Sequence, residues 1–297
     1  MINERILNDM TKADMYMYND IKNIQNYGYI DKNPRPKYKD GTPAHTISVN
    51  HVVRKYDLSN GEFPICTLRP MAWKTGIKEI FTIYQKPTNN LSEMMSMGVN
   101  WWNDWDIGDG TIGQRYGATV SRYDLINNLI RDIENDPYGR RKVVSLWQET
   151  DLRETTGLAP CAFLTIWNVR NDKNDKEYLD MCLIQRSGDM LTASGAGGIN
   201  EIQYAALLMM IARHCGYEPG MFTHFVANEQ IYDRHMDAAD QMLSRYIEHV
   251  VTIHDDSNIP MLILNPTKTN FYDFTIEDFT ISNYEPVKPQ LKLELGI

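Results

Sequence analysis

Residues 161–185 read Cys-Ala-Phe-Leu-Thr-Ile-Trp-Asn-Val-Arg-Asn-Asp-Lys-Asn-Asp-Lys-Glu-Tyr-Leu-Asp-Met-Cys-Leu-Ile-Gln. Two β-rich runs, 161–169 and 178–185, flank a polar loop at 170–177. That pattern predicts a hairpin, and so an antiparallel part of a sheet. Further β-type runs lie at 46–53, 142–147 and 261–264. Between them, 123–134 spaces Leu125, Ile126, Leu129, Ile130 and Ile133 at helical steps and stops at Asp136-Pro137, which predicts an amphipathic helix. Helices are also predicted over 71–85, ended by Lys86-Pro87, over 200–214, ended by Gly216, and over 230–248. Pro34, Pro36 and Asp40-Gly41-Thr42-Pro43 read as an ordered loop. The alternation predicts an α+β fold. No Gly/Ser-rich, Pro-rich or single-charge stretch divides the chain, so 1–297 is read as a single domain.

At 297 residues and 42% hydrophobic content the chain can bury a large core without a disulfide or metal staple. It has 4 Cys and no Cys-x-x-Cys pair, and Glu4, Arg5, Asp9 and Lys12 interrupt the start, so a cytoplasmic location is expected. The longest apolar run, Ala205 to Ala212, is far short of the ~18 residues of a membrane span. A net charge of -9 argues against nucleic acid as the main ligand. An anionic substrate must then be held by a local arginine cluster.

Cys161 opens a predicted strand; such a cysteine is usually core, but nearby guanidinium groups would favour its reactive thiolate. Arg186-Ser187 ends a strand with a planar fork and a hydroxyl, a seat for phosphate, and Arg140-Arg141 sit in a turn before another strand. Glu79 lies among Ile77, Ile80, Phe81 and Ile83; exposed it is a helix carboxylate, buried it becomes an acid or base. Trp101, Trp102 and Trp105 suit either a core or a wall for a flat heterocycle. The 7 His have no ligand spacing, so no metal site is expected. Gly195-Ala196-Gly197-Gly198 is neither a dinucleotide fingerprint nor a P-loop.

The order Glu79, Trp102-x-x-Trp105, Tyr116-Gly117, Asp136-Pro-x-x-Arg140-Arg141, Pro160-Cys161, Gln185-Arg186-Ser187-x-Asp189, Asn200-x-x-x-Tyr204, Tyr232-x-x-His235 and the closing Pro-x-Leu-x-x-Glu-Leu-Gly-Ile resembles the folate-dependent, cysteine-nucleophile thymidylate synthase family. The resemblance spans Arg35 to Ile297, and Asp40-Gly-Thr-Pro-Ala-His45 and Phe271-Tyr-Asp-Phe-Thr-Ile276 are similar to the branch met in Bacillus and its phages. It implies a large mixed, mainly antiparallel sheet covered by helices, and a sheet-to-sheet homodimer in which Arg140 and Arg141 serve the partner's site. It also implies dUMP and a reduced folate, 5,10-methylenetetrahydrofolate, as substrates. Cys161 would add to C6 of uracil, and Glu79 and Tyr116 would manage protons through water. Arg186, Ser187 and the paired arginines would grip the phosphate, Asn200 would read the O4/N3 edge of the base, and Tyr232 would hold the ribose. Asp189 would bind the pterin, with Trp102, Trp105 and Ile297 enclosing the folate. Thiolate addition makes chemical sense, since C5 of uracil becomes nucleophilic only after attack at C6.

Four positions depart from the family pattern. Ala162 replaces a histidine after the nucleophile, and Gln230 replaces one before the ribose tyrosine while keeping hydrogen-bonding capacity. The usual phosphate arginine is missing after Asp40, which leaves Arg35 as the substitute. The stretch from Leu191 to Ile199 is longer and glycine-rich, and is expected to be mobile until folate binds. The alternative product is 5-hydroxymethyl-dUMP, with water capturing the methylene; the hydrophobic tail ending Leu295-Gly296-Ile297 favours methylation by excluding water.

Overall fold

The computed structural model describes residues 11–252 and 259–296. Strands β1 (Tyr29–Ile30), β2 (Thr46–Asp57), β3 (Lys142–Ser145), β4 (Ala162–Asn171), β5 (Glu177–Gln185), β6 (Gly188–Asp189) and β7 (Glu218–Tyr232) form one sheet in the order β1-β2-β7-β5-β4-β3, with β6 alongside β7. A second sheet pairs β8 (Met261–Leu264) with β9 (Phe279–Ser282). The predicted hairpin is present: Arg170 pairs with Tyr178 and Ala162 with Gln185. Pairing is antiparallel except where β5 and β6 run parallel to β7. A parallel neighbour requires a crossover, and helix Ile199–Cys215 lies between β5 and β7 in the chain.

The helices are α1 (Lys12–Tyr27), α2 (Trp73–Ile80), α3 (Leu91–Ser96), α4 (Gly117–Arg122), α5 (Leu125–Asn135), α6 (Glu149–Glu154), α7 (Ile199–Cys215) and α8 (Met236–Thr252). α7 is the central one. Ile202, Ala205, Leu208 and Ile211 are fully buried, and it ends where Gly216 takes a left-handed conformation, φ 81°. α5 buries Ile126, Leu129, Ile130 and Ile133, the stripe predicted for it. The helix predicted over 71–85 divides: α2 passes into a wide π-type turn at Phe81–Gln85.

One predicted element is wrong. The helix over 230–248 begins only at Met236, because residues up to Tyr232 belong to β7, a strand the sequence concealed. The inward positions of β7 include Gly220, His224 and Glu229 as well as Phe222, Val226 and Ile231, so its period-two alternation is not one of hydrophobicity. Its polar positions have buried partners: His224 meets Glu201 and Gln185, and Glu229 meets Arg54 of β2. Arg54 is fully buried and donates to Asp20 at 2.7 Å and to Glu229. Among the described residues no helix is long and apolar enough to cross a membrane.

Candidate active site

Cys161 stands immediately before β4, where the β4–β5 register slips between Ala162 and Leu164. Such an irregularity re-aims the adjoining side chains. Arg186, just past the end of β5, is clamped to the cysteine loop: its Nε donates to Pro160 O at 2.9 Å and its Nη2 to Ala159 O at 2.8 Å. That leaves Nη2 3.5 Å from the Cys161 Sγ. Burial pushes the Cys161 thiol up, while Arg186 and then Arg35 pull it down. The expected lowering is therefore corrected, because burial of the half-enclosed thiol outweighs the two charges. Arg35 is exposed and its charge bears on both Cys161 and Tyr232.

The wall beside the thiol is aromatic. Tyr116 Oη accepts from the Cys161 N–H at 3.4 Å, and its ring lies 4.9 Å from that of Trp102, which in turn is 5.6 Å from Trp105. Tyr116 is held at φ 48°, a positive value costing a side-chain-bearing residue about 1–3 kcal/mol. Trp102 Nε1 donates to Glu79 Oε1 at 2.6 Å, and Gln203 Nε2 donates to Glu79 Oε2 at 2.6 Å. Glu79 is thus the buried carboxyl of the two alternatives. Burial raises it to about 7, against the opposing donors Trp102 and Gln203. A carboxyl poised there can exchange a proton at physiological pH.

From Asn200, on the first turn of α7, Nδ2 donates to Gln203 Oε1 at 3.0 Å, and Oδ1 accepts from Gln185 Nε2 at 3.2 Å. Gln185 and Gln203 had no assigned role in the sequence. Gln203 follows Asn200 by three residues on one helix, a spacing that puts both on the same face.

Asp189 caps the turn that follows it, accepting from Thr192 N–H at 3.4 Å, and burial raises its carboxyl. The sheet register sets Gln230 beside Asp189. Tyr232, 7% exposed, packs against Tyr38 and His235. The tail docks there: His235 Nε2 contacts Glu294 O at 2.8 Å, and a Cβ on Gly296 would lie 3.0 Å from the Tyr232 ring. Ile297 lies outside the described residues. Ser187, half-buried beside Arg186, accepts at its carbonyl from Gln185 Nε2 at 3.0 Å.

Arg140 and Arg141 are exposed and stand apart from this group. Lys142 pairs with Trp167, so the two arginines extend β3 toward residues 168–169, seven or more residues along β4 from Cys161, roughly 20 Å.

The glycine-rich stretch packs inside the fold. Residues 195–198 are buried: Gly197 O accepts from Cys66 N–H at 3.0 Å, and Gly197 N–H donates to Glu201 Oε2 at 2.7 Å. The glycines serve close packing, since a Cβ on Gly197 would sit 2.2 Å from Cys66 N. No group of His, Cys, Asp or Glu that could hold a metal ion occurs among the described residues.

A thiol facing a clamped guanidinium, joined through Tyr116 and Trp102 to a carboxyl held near neutrality, is the arrangement that covalent nucleophilic catalysis requires. The family described as thymidylate synthase matches residues 16–297. The thymidylate synthase of Lactococcus lactis subsp. cremoris (strain SK11) is 47% identical over 290 residues, covering 97% of this chain and 100% of that protein. The thymidylate synthase of Streptococcus pneumoniae (strain ATCC BAA-255 / R6) is 47% identical over 292 residues, covering 97% and 100%. A solved structure of thermostable thymidylate synthase A from Bacillus subtilis matches with a TM-score of 0.83 at 32% identity, covering 96% of this chain and 99% of that one. The chain belongs to the thymidylate synthase family.

Proposed function

We propose that Cys161 is the nucleophile and Glu79 the proton-exchanging group of the family's reaction in this chain. The reaction is the methylation of dUMP to dTMP. 5,10-Methylenetetrahydrofolate supplies the one-carbon unit and the hydride, and leaves as dihydrofolate. The observation that carries the assignment is Arg186 Nη2 at 3.5 Å from the Cys161 Sγ, with Tyr116 on the backbone of the same residue. A phosphate-binding cation is thereby held beside the only cysteine so placed among the described residues.

Attack of the thiolate on C6 forms the S–C bond and moves an electron pair toward O4. Asn200 has one Nδ2 hydrogen and one Oδ1 lone pair beyond those used by Gln203 and Gln185. They match O4, which accepts, and N3–H, which donates, and the hydrogen bond to O4 strengthens as charge develops there. Glu79 and Tyr116 exchange protons with the ring through water. Arg186, Ser187 and Arg35 bind the phosphate, Gln230 and Tyr232 the ribose. Trp102 and Trp105 offer a flat wall to the folate, and Asp189 a carboxyl to its pterin. The docked tail, with Gly296 against Tyr232, favours exclusion of water and so methylation over hydroxymethylation.

The functional unit is a homodimer that joins through its sheets, with the partner subunit's Arg140 and Arg141 completing each phosphate site. Two features support this. Val53, Phe225, Ile184 and Leu164 are successive cross-strand partners, none buried, so they make an apolar ridge across the outer face of the sheet. Arg140 and Arg141 lie too far along the sheet to serve Cys161 of their own chain.

The test is to incubate the chain with dUMP and methylenetetrahydrofolate and identify products by mass spectrometry. dTMP with dihydrofolate is expected, and Cys161→Ser should abolish it while leaving dUMP binding intact. Hydroxymethyl-dUMP with tetrahydrofolate, or a Cys161→Ser variant of normal activity, would refute the assignment.

A further inference from the structure

The amides around Asn200 donate in one direction. Gln185 Nε2 donates to Asn200 Oδ1 at 3.2 Å, Asn200 Nδ2 to Gln203 Oε1 at 3.0 Å, and Gln203 Nε2 to Glu79 Oε2 at 2.6 Å. Gln185 is anchored in this sense because the same Nε2 donates to Ser187 O at 3.0 Å. Its Oε1 therefore faces His224 Nε2, 3.0 Å away, and that ring nitrogen must carry a hydrogen. At the other ring nitrogen, Nδ1 lies 2.9 Å from Glu201 Oε1.

Glu201 is a carboxylate by its contacts. It accepts from Tyr56 Oη at 2.7 Å, from Gly197 N–H at 2.7 Å and from Arg54 Nη1 at 3.4 Å. Although burial works against its charge, His224 and Arg54 hold its carboxyl below the usual range. Burial pushes the His224 ring toward its neutral form and Glu201 opposes this. The contacts decide the matter, since both ring nitrogens face acceptors and both carry hydrogen. His224 and Glu201 are completely buried, and Gln185 and Gln203 nearly so.

We propose that the buried His224–Glu201 pair is a positioning device: by donating to Gln185 it fixes which way the Asn200 amide faces, and so sets the preference for a uracil over a cytosine nucleotide. The inference rests on the reading that Asn200 meets the base edge. Uracil offers N3–H and accepts at O4; cytosine accepts at N3 and donates from its amino group. An asparagine amide matches one base or, turned over, the other. The two orientations have nearly the same shape, so packing cannot choose between them; only hydrogen-bond partners can. His224 and the Ser187 carbonyl make the choice together at the head of the chain. If Gln185 turned over, its NH2 would meet the imidazole N–H, donor against donor. Without that donor only the Ser187 carbonyl still holds Gln185, so the choice weakens; the reversed run ends in a protonated Glu79 that donates to Gln203, and a carboxyl poised at about 7 can take that form.

The experiment compares wild type with His224→Phe and Asn200→Asp, measuring dUMP and dCMP affinity by calorimetry and kcat and KM for dUMP. Phenylalanine keeps a ring stacked over Phe222 but has no donor. We expect His224→Phe to lower the dUMP-to-dCMP affinity ratio about tenfold, the worth of one net hydrogen bond, with the loss in KM rather than kcat. A folded His224→Phe variant with an unchanged ratio, beside an Asn200→Asp variant with a shifted one, overturns this inference and leaves the reading of Asn200 intact. An unchanged ratio in Asn200→Asp overturns both. If His224→Phe does not fold, 15N NMR of the wild-type imidazole decides: a hydrogen on Nε2 supports the proposal and a bare Nε2 refutes it.

Discussion

Replacing Glu79 by glutamine should remove the stability that wild type loses as pH rises, while destroying activity. In the unfolded chain this carboxyl loses its proton near 4.5; in the folded enzyme burial delays the loss to about 7. Between those values the folded state holds a proton that the unfolded state has released. The stability so gained is fully present below 4.5 and is lost as pH rises through 7. The gap is worth about 3 kcal/mol. Glutamine does not titrate. It also sets an NH2 group against Gln203 Nε2 or Trp102 Nε1, but that cost is independent of pH. The stability of Glu79→Gln relative to wild type should therefore climb by about 3 kcal/mol between pH 4.5 and 8.5, whatever its starting offset. Urea unfolding at one fixed protein concentration, repeated across that range, measures the difference. Parallel stability curves would refute the reasoning, because they would mean that Glu79 titrates alike in both states. Turnover should fall at least about 100-fold in the same variant.

Mixing an Arg140→Ala, Arg141→Ala protein with a Cys161→Ser protein should restore activity through heterodimers that contain one complete site; no recovery despite demonstrated subunit exchange would place the arginines in their own chain's site. Gly197→Ala should cost about 2–5 kcal/mol in denaturant unfolding, since it adds strain at φ +64° to a clash with Cys66 N. Amides across 191–199 should be protected from hydrogen exchange before any ligand is added; rapid exchange that slows only in a ternary complex would restore a folate-gated loop.

Regular amphipathic elements were legible in the sequence and polar interiors were not. The 161–185 hairpin and α5 carry their periods openly. β7 does not, because Arg54 across the sheet makes inward places for Glu229 and, through Glu201, for His224. α1 is harder to read although Ala13, Met17, Ile21 and Ile24 form a buried stripe, since Asp14 is buried among them and Met15, Tyr16 and Tyr18 blur its edge. Motif order supplied Cys161, Glu79 and Asn200 as candidates. It could not supply the bonds that tune them: Gln203 is 124 positions from Glu79, and Trp102 is 23. The same limit explains the misjudged thiol, because counting arginines near Cys161 says nothing of how deeply the fold encloses it.

The buried segment 195–198 bears on how a saturation mutagenesis map of this enzyme should be read. A Cβ at Gly195 would lie 2.3 Å from Met190 O, one at Gly197 2.2 Å from Cys66 N, and one at Gly198 2.7 Å from Gly195 O. Backbone atoms cannot swing aside as a side chain can, so almost every replacement at these positions will score as a loss. On such a map they would rank with Cys161 for reasons of packing alone. Soluble yield scored beside turnover separates the two classes: glycine variants lose both together, whereas Cys161→Ser keeps its yield.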